Sequence, residues 1–168
     1  MRRRSHQPTK IYHMKVIWTD LSGRVRGKPF RVLGVGESTS LYDLAYEIVK
    51  SFEFDFDHLF GFYSKYQGNY FDSDEKYELL DEDEHSDRSV DVRNVHVSQV
   101  FNIPAKRMLF VFDFGDEWRF MVRLLKVALP EPDMEYPVLV ESVGEAPCQY
   151  GSLEDSNEEG DEEDPGID

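Results

Sequence analysis

His58, Asp113, Asp116, Glu117, Trp118 and Arg119 are the side chains of this chain whose types and clustering could support chemistry. Carboxylates crowded beside an arginine could form a small acidic site at a strand end, facing Arg119 or a bound cation. His58, arriving from elsewhere in the chain, would add a ligand or a base. That combination would suit a metal-assisted hydrolase, and it rests on residue types alone. Turn formation and solubility explain the same acids, because Asp and Gly are ordinary residues of a tight strand connection. Asp113-Phe114-Gly115 also spells the metal-binding triplet of protein kinases. The Gly-rich loop, strand lysine and catalytic loop that a kinase needs are missing.

Gly34-Val35-Gly36 lacks the third glycine and the later acidic residue of a dinucleotide-binding loop, and reads as a flexible strand exit. The acidic segment Asp72–Asp91, with Asp81-Glu82-Asp83-Glu84, suggests calcium. An EF-hand starting at Asp72 would put Tyr77 where glycine is required, so a solvated acidic loop is expected. Cys148 is the one cysteine, which excludes an internal disulfide and a cysteine-based zinc site and fits a reducing, cytoplasmic setting. There is no phosphate loop, nucleophile elbow or zinc-protease helix motif. No catalytic residue, metal site or cofactor is therefore assigned.

The elements that must position these residues centre on a hairpin over 106–127, KRMLFVFDFGDEWRFMVRLLKV. Met108–Phe112 is a continuous apolar run that fits a strand buried on both faces. In the return strand Trp118, Phe120, Val122 and Leu124 share one face, and Arg119, Met121, Arg123 and Leu125 the other. Phe114-Gly115-Asp116-Glu117 reads as a two-residue connection with Gly115 at positive φ. Trp118 is expected to be mostly buried near Leu44 or Ile48.

Around the hairpin, Ile11–Trp18 alternates as an amphipathic strand, and Gly27-Lys28-Pro29 opens another through Leu33. Ser40–Phe52 carries Leu41, Leu44, Ala45, Ile48, Val49 and Phe52 at helical spacing, capped near Ser40. Leu59–Tyr63 is a further strand with His58 at its entrance. A short helix over Val95–Phe101 and a last short strand over Tyr136–Glu141 complete the set. The expected fold is α+β: a single compact domain, a largely antiparallel curved sheet with one main helix packed on it. The domain is expected over residues 10–151, between a disordered basic N-terminus (1–9) and a disordered acidic tail (152–168).

Charge separates along the chain. The formal net charge is −15, yet residues 1–31 hold nine Lys/Arg against one acid. Arg2, Arg3, Arg4, Lys10, Arg24, Arg26, Lys28 and Arg31 could touch phosphate, although the acidic remainder disfavours nucleic acid at long range. No run of about 18 apolar residues is present, so no membrane span is expected. The basic start lacks the apolar segment of a secretory signal.

The chain resembles the Ri-plasmid (pRiA) open-reading-frame-three-like proteins. The likeness lies in Phe112-Asp113-Phe114-Gly115-Asp116-Glu117-Trp118, then Tyr136-Pro137, with His58-Leu59-Phe60-Gly61-Phe62 and the leucine-rich helix before them. It spans about residues 10–151. The family's Pro-Pro-Glu-Asp with paired glycines is represented here by Ala146-Pro147-Cys148-Gln149-Tyr150-Gly151, and its helical C-terminal extension by the acidic tail. The resemblance implies a compact α+β fold and no particular catalytic activity. The leading expectation is a monomeric, non-catalytic protein- or peptide-binding module. An accessory nucleic-acid-associated protein, in a plasmid or mobile-element setting, is the alternative, and the metal-assisted hydrolase the third.

Overall fold

A computed structural model of the chain describes residues 7–81 and 89–150. Its elements in order are β1 (Ile11–Thr19), β2 (Phe30–Gly36), α1 (Leu41–Ser51), β3 (Phe60–Tyr63), β4 (Lys76–Leu79), β5 (Val90–Asp91), α2 (Val97–Val100), β6 (Arg107–Phe112), β7 (Trp118–Ala128) and β8 (Val138–Val143). The strands form one eight-stranded sheet in the order β5-β4-β3-β6-β7-β1-β2-β8. All pairings are antiparallel except β4–β5. The fold is α+β with one main helix on a mostly antiparallel sheet, as expected.

The apolar pattern explains the layering. Met108, Phe110 and Phe112 of β6 join Phe120 and Val122 of β7, Met14 and Val16 of β1, and the buried stripe of α1 in the larger core. The opposite side chains, Leu109 and Val111, pack with Tyr63 and Tyr70 in a smaller second cluster. β6 is thus buried on both faces, as its unbroken apolar run requires. α1 begins where Ser40 Oγ accepts a hydrogen bond from the Asp43 amide, relieving an orphan N–H of the first turn. Its Leu41, Leu44, Ala45, Ile48 and Val49 are buried.

Four expectations need correction. Gly34-Val35-Gly36 is the end of β2, paired with Ile11, Tyr12 and His13, and not a strand exit. A Cβ on Gly36 would lie 2.8 Å from Pro8 Cβ, so close chain approach explains that glycine. The segment read as an acidic loop contains β4 and β5. Its residues 82–88, including most of the Asp81–Glu84 run, lie outside the described residues. The hairpin connection spans Asp113–Glu117, between paired Phe112 and Trp118, and its positive φ values belong to Asp113 (63°) and Glu117 (52°). Trp118 is half-buried, less enclosed than expected; it packs against the core cluster that includes Leu44 and Ile48, with Phe54 and Trp18 as ring neighbours at 4.9 and 6.4 Å.

Arg2, Arg3 and Arg4, with the rest of residues 1–6, and the expected acidic tail 152–168 lie outside the described residues. Within the expected disordered segment 1–9, Thr9 donates from its amide and hydroxyl to Glu37 Oε1 at 3.0 and 2.5 Å. No helix among the described residues is long and apolar enough to cross a membrane.

Phe110 carries the central packing: it is fully buried and its ring meets those of Phe60, Phe62 and Phe120 at 5.7, 4.8 and 5.9 Å. Phe110→Ala should cost about 3–5 kcal/mol in urea unfolding. Leu129→Ala, at a position 80% exposed, should stay within roughly 0.5 kcal/mol of the parent. Equal effects would contradict the placement of the core.

Candidate functional site

The residues expected to converge do so only in part. Asp113 follows β6 directly and adopts a left-handed backbone conformation that Asp tolerates better than most residues. Its Oδ1 accepts from the Gly115 and Asp116 amides at 3.0 and 3.3 Å, and its amide donates to Leu59 O at 2.9 Å. The carboxylate therefore organises its own turn and ties that turn to the entrance of β3. Because Phe60 pairs with Phe112, the same register brings His58 beside Asp113, with Nε2 3.4 Å from Asp113 Oδ2. His58 Nδ1 lies 2.6 Å from Asp57 Oδ1.

This arrangement extends to the C-terminal segment. The Tyr150 hydroxyl donates to Asp57 Oδ2, and Gln149 pairs with the main chain of Asp55, accepting at 2.7 Å and donating at 3.1 Å. The Tyr150 hydrogen bond, with help from His58, holds the Asp57 carboxyl below its ordinary range. The same bond pushes the Tyr150 phenol up to about 12. A general base of the catalytic-triad kind offers one ring nitrogen to an orienting carboxylate and the other to a substrate. Here carboxylates face both nitrogens of His58, so the cluster clasps the C-terminal segment to the hairpin turn.

Glu117 and Arg119 belong to the other face of the sheet. Arg119 Nη2 donates to Glu117 Oε2 at 3.1 Å, the Tyr70 hydroxyl donates to Glu117 Oε1 at 3.0 Å, and the guanidinium lies 5.1 Å from the Tyr70 ring centre. Burial, then the bond to Glu117, pushes Tyr70 up to about 12. Next to them the buried Tyr63 hydroxyl donates to buried Glu78 at 2.6 Å. The Tyr63 ring covers Gly61, where a Cβ would lie 2.5 Å from the phenol oxygen. Asp116 is exposed, and its carboxylate makes no hydrogen bond or ion pair among the described residues. Two buried donors, Trp118 Nε1 and Arg119 Nε, have no protein acceptor. Among the described residues no group of three or more His, Cys, Asp or Glu side chains is arranged to hold a metal ion.

The basic residues divide as well. Arg31 is 4% exposed and bonded to main-chain carbonyls through Nε and Nη1. Its Nε donates to Ser51 O at 2.9 Å, and its Nη1 reaches the carbonyls of Phe30, Val143 and Gly144 at 2.9, 3.0 and 3.1 Å. A buried cation at the last residue of α1 is well placed against the helix dipole, and the guanidinium also stacks on Phe52 at 4.6 Å. Arg31 is thus a clamp between α1, β2 and β8, unavailable to phosphate. Lys10 and Arg24 are exposed and separate, whereas Arg26 and Lys28 share a cleft with Lys15 and Arg123.

Tyr70, Gln149, Tyr150, Asp57 and Glu78 were not singled out from the sequence. Tyr70, Gln149, Tyr150 and Asp57 lie outside strands and α-helices and carry no periodic signal, and Glu78 is a buried acid in a four-residue strand.

Fold and site together describe a single-sheet α+β domain whose polar clusters are bonded internally. Residues 11–153 match the model of the plasmid pRiA4b ORF-3-like protein family, and the chain belongs to that family. Among solved structures it is similar to a protein of unknown function, MM3350, from Methanosarcina mazei Go1. That likeness has a TM-score of 0.65 and 24% identity, over 83% of this chain and 72% of the other. No curated protein matches the chain.

Two outcomes follow from these clusters. Arg31→Lys, which keeps the charge and loses the planar fork, should destabilise by about 2–3 kcal/mol in chemical denaturation, because carbonyls arranged for a guanidinium lose their donors. Alkaline titration should show a second effect. Tyr70, Tyr77 and Tyr150 hold their protons to about 12, and Tyr63 is raised further, against 10.0 for a free phenol. A raised folded-state pKa gives stability that is complete below pH 10 and lost as pH climbs toward 12. The urea midpoint should fall across that window, and Tyr70→Phe should flatten the fall. A midpoint independent of pH there would contradict the bonded phenols.

Proposed function

We propose that this chain is a non-catalytic binding module that takes an extended protein or peptide segment along the open edge of β8. The observation that carries the reading is the strand itself. Among the described residues β8 ends the sheet order, pairs only with β2, and has no buried residue. Leu139, Val140 and Val143 are 48%, 52% and 43% exposed. An edge with unpaired main-chain groups and apolar side chains is a template for strand addition, where main-chain hydrogen bonds give affinity and alternate side chains give specificity. Arg31 supports this use, because it fixes the Val143 and Gly144 carbonyls and so stiffens one end of the edge before a partner arrives.

The same reading takes the protein as a cytoplasmic monomer, in keeping with the exposed free thiol of Cys148. The internal bonding of His58 and Glu117 favours a scaffold role for them over a hydrolytic one.

Affinity capture from nuclease-treated lysate, followed by mass spectrometry, tests the proposal when run beside a Val140→Lys variant. A partner retained by the parent, lost by the variant, and protecting β8 amides from hydrogen exchange is the expected result. Identical retention by parent and variant would overturn the edge assignment. So would a β8-dependent dimer in light scattering, since a second copy would then occupy the edge.

A further inference from the structure

The face of the sheet opposite α1 carries a feature that peptide binding at β8 does not use. Lys15 of β1 lies directly opposite Arg123 of β7, and Arg123 lies directly opposite Arg107 of β6. Paired residues of adjacent strands project to the same face with Cβ atoms roughly 4.5–5.5 Å apart, and like charges so placed repel. Three cations therefore stand in one row across three neighbouring strands, in a protein whose formal net charge is −15. Within the described residues, none of the three has a carboxylate within 4.0 Å. The row's other partners are Val32 beside Lys15 and, beyond it, Glu141 on β8. Arg107 is turned onto Tyr66, donating to its hydroxyl at 3.1 Å. Lys15 and Arg123 are left facing a cleft.

That cleft has a volume of about 460 Å³, and the β1–β2 connection brings Arg26 and Lys28 to it. Ile17, Phe30 and Val143 supply apolar wall, and none of its lining residues is acidic. Lys15 Nζ sits 4.1 Å from the Phe30 ring centre, and Lys28 Nζ 5.0 Å from that of Trp18. The amides of Arg26 and Gly27 donate to no acceptor among the described residues. Lys28 also feels the charge of Asp20, which is itself hydrogen-bonded to Ser22. The Lys28 ammonium is thus turned to the other face, and the three remaining cations beside an apolar wall make a site complementary to concentrated negative charge joined to a flat or apolar body. The volume lies within the range of small-ligand pockets, roughly 300–1,000 Å³.

We propose that this cleft binds a phosphorylated small molecule of about mononucleotide size, its phosphate met by Lys15, Arg26 and Arg123 and its body by Phe30 and Ile17. The site is independent of the β8 edge and stands or falls separately from it.

The full chain, labelled for NMR, should be titrated with pyrophosphate, adenosine monophosphate and adenosine. Pyrophosphate and the nucleotide are expected to shift Lys15, Arg26 and Arg123 saturably, the nucleotide should also shift Phe30, and adenosine should shift none of them. The Lys15→Gln/Arg123→Gln variant should bind the nucleotide at least tenfold more weakly while unfolding at the same or higher urea concentration, because the repulsion has been relieved. Unmoved cation resonances with both phosphates would overturn the proposal. Undiminished affinity in the variant, or a variant destabilised by loss of the cations, would do the same. Affinity for short single-stranded oligonucleotides that climbs with length and falls steeply with salt would reassign the cleft to a nucleic-acid chain.

Discussion

Burial of β6 on both faces is the constraint from which the rest of the architecture follows. A strand with Met108, Phe110 and Phe112 on one side and Leu109 and Val111 on the other has no face to give to water. One side is closed by α1 and the loops around it. The other is closed by Tyr63 and Tyr70, brought over by β3 and the short 3-10 turn at Tyr70–Asp72. Closing the second face with tyrosines brings hydroxyl groups into an apolar setting, and each needs an acceptor. Glu78 and Glu117 provide them, so two carboxylates become internal fittings of the fold.

The same economy governs the ends of the strands. Asp113 closes its own turn and holds β3, His58 bridges it to Asp57, and Tyr150 and Gln149 fasten the C-terminal segment to that corner. Arg31 performs the matching service at the other edge. What remains unspent is informative by contrast: an apolar edge strand at β8, and a row of cations opposite α1. Beside the unpartnered Trp118 Nε1 and Arg119 Nε, these are the two extended surfaces where the chain departs from pairing polar groups and covering apolar ones.

Much of this was legible in the sequence wherever one physical signal dominated. The helix was marked by Leu41, Leu44, Ala45, Ile48 and Val49 at helical spacing after a serine cap, and the central hairpin by its apolar run and alternating return. β4 was hidden because Glu78 points inward, and a buried acid breaks the alternation that marks a strand. The glycines of β2 were misread because Gly36 is closed by Pro8 and Gly34 by Val138 of β8 and Ile11 of β1, all distant in sequence. The hairpin connection was misread because Gly115 was expected to take the positive φ that Asp113 and Glu117 adopt. Half of the candidate site survived for a reason sequence could not supply: the pairing of Phe60 with Phe112 sets His58 against Asp113. Alternation did place Trp118 and Arg119 on opposite faces, which is why the proposed cluster had to split.

On the proposed reading, function resides on the open β8 edge and the hairpin acids serve the fold. Site-specific photo-crosslinking in living cells tests it most directly. A photoreactive residue at position 140 should trap a discrete protein partner, whereas one at position 116, beside the hairpin acids, should trap none. A partner trapped at 116 and absent at 140 would contradict the claim and return the hairpin turn to the centre of the protein's function.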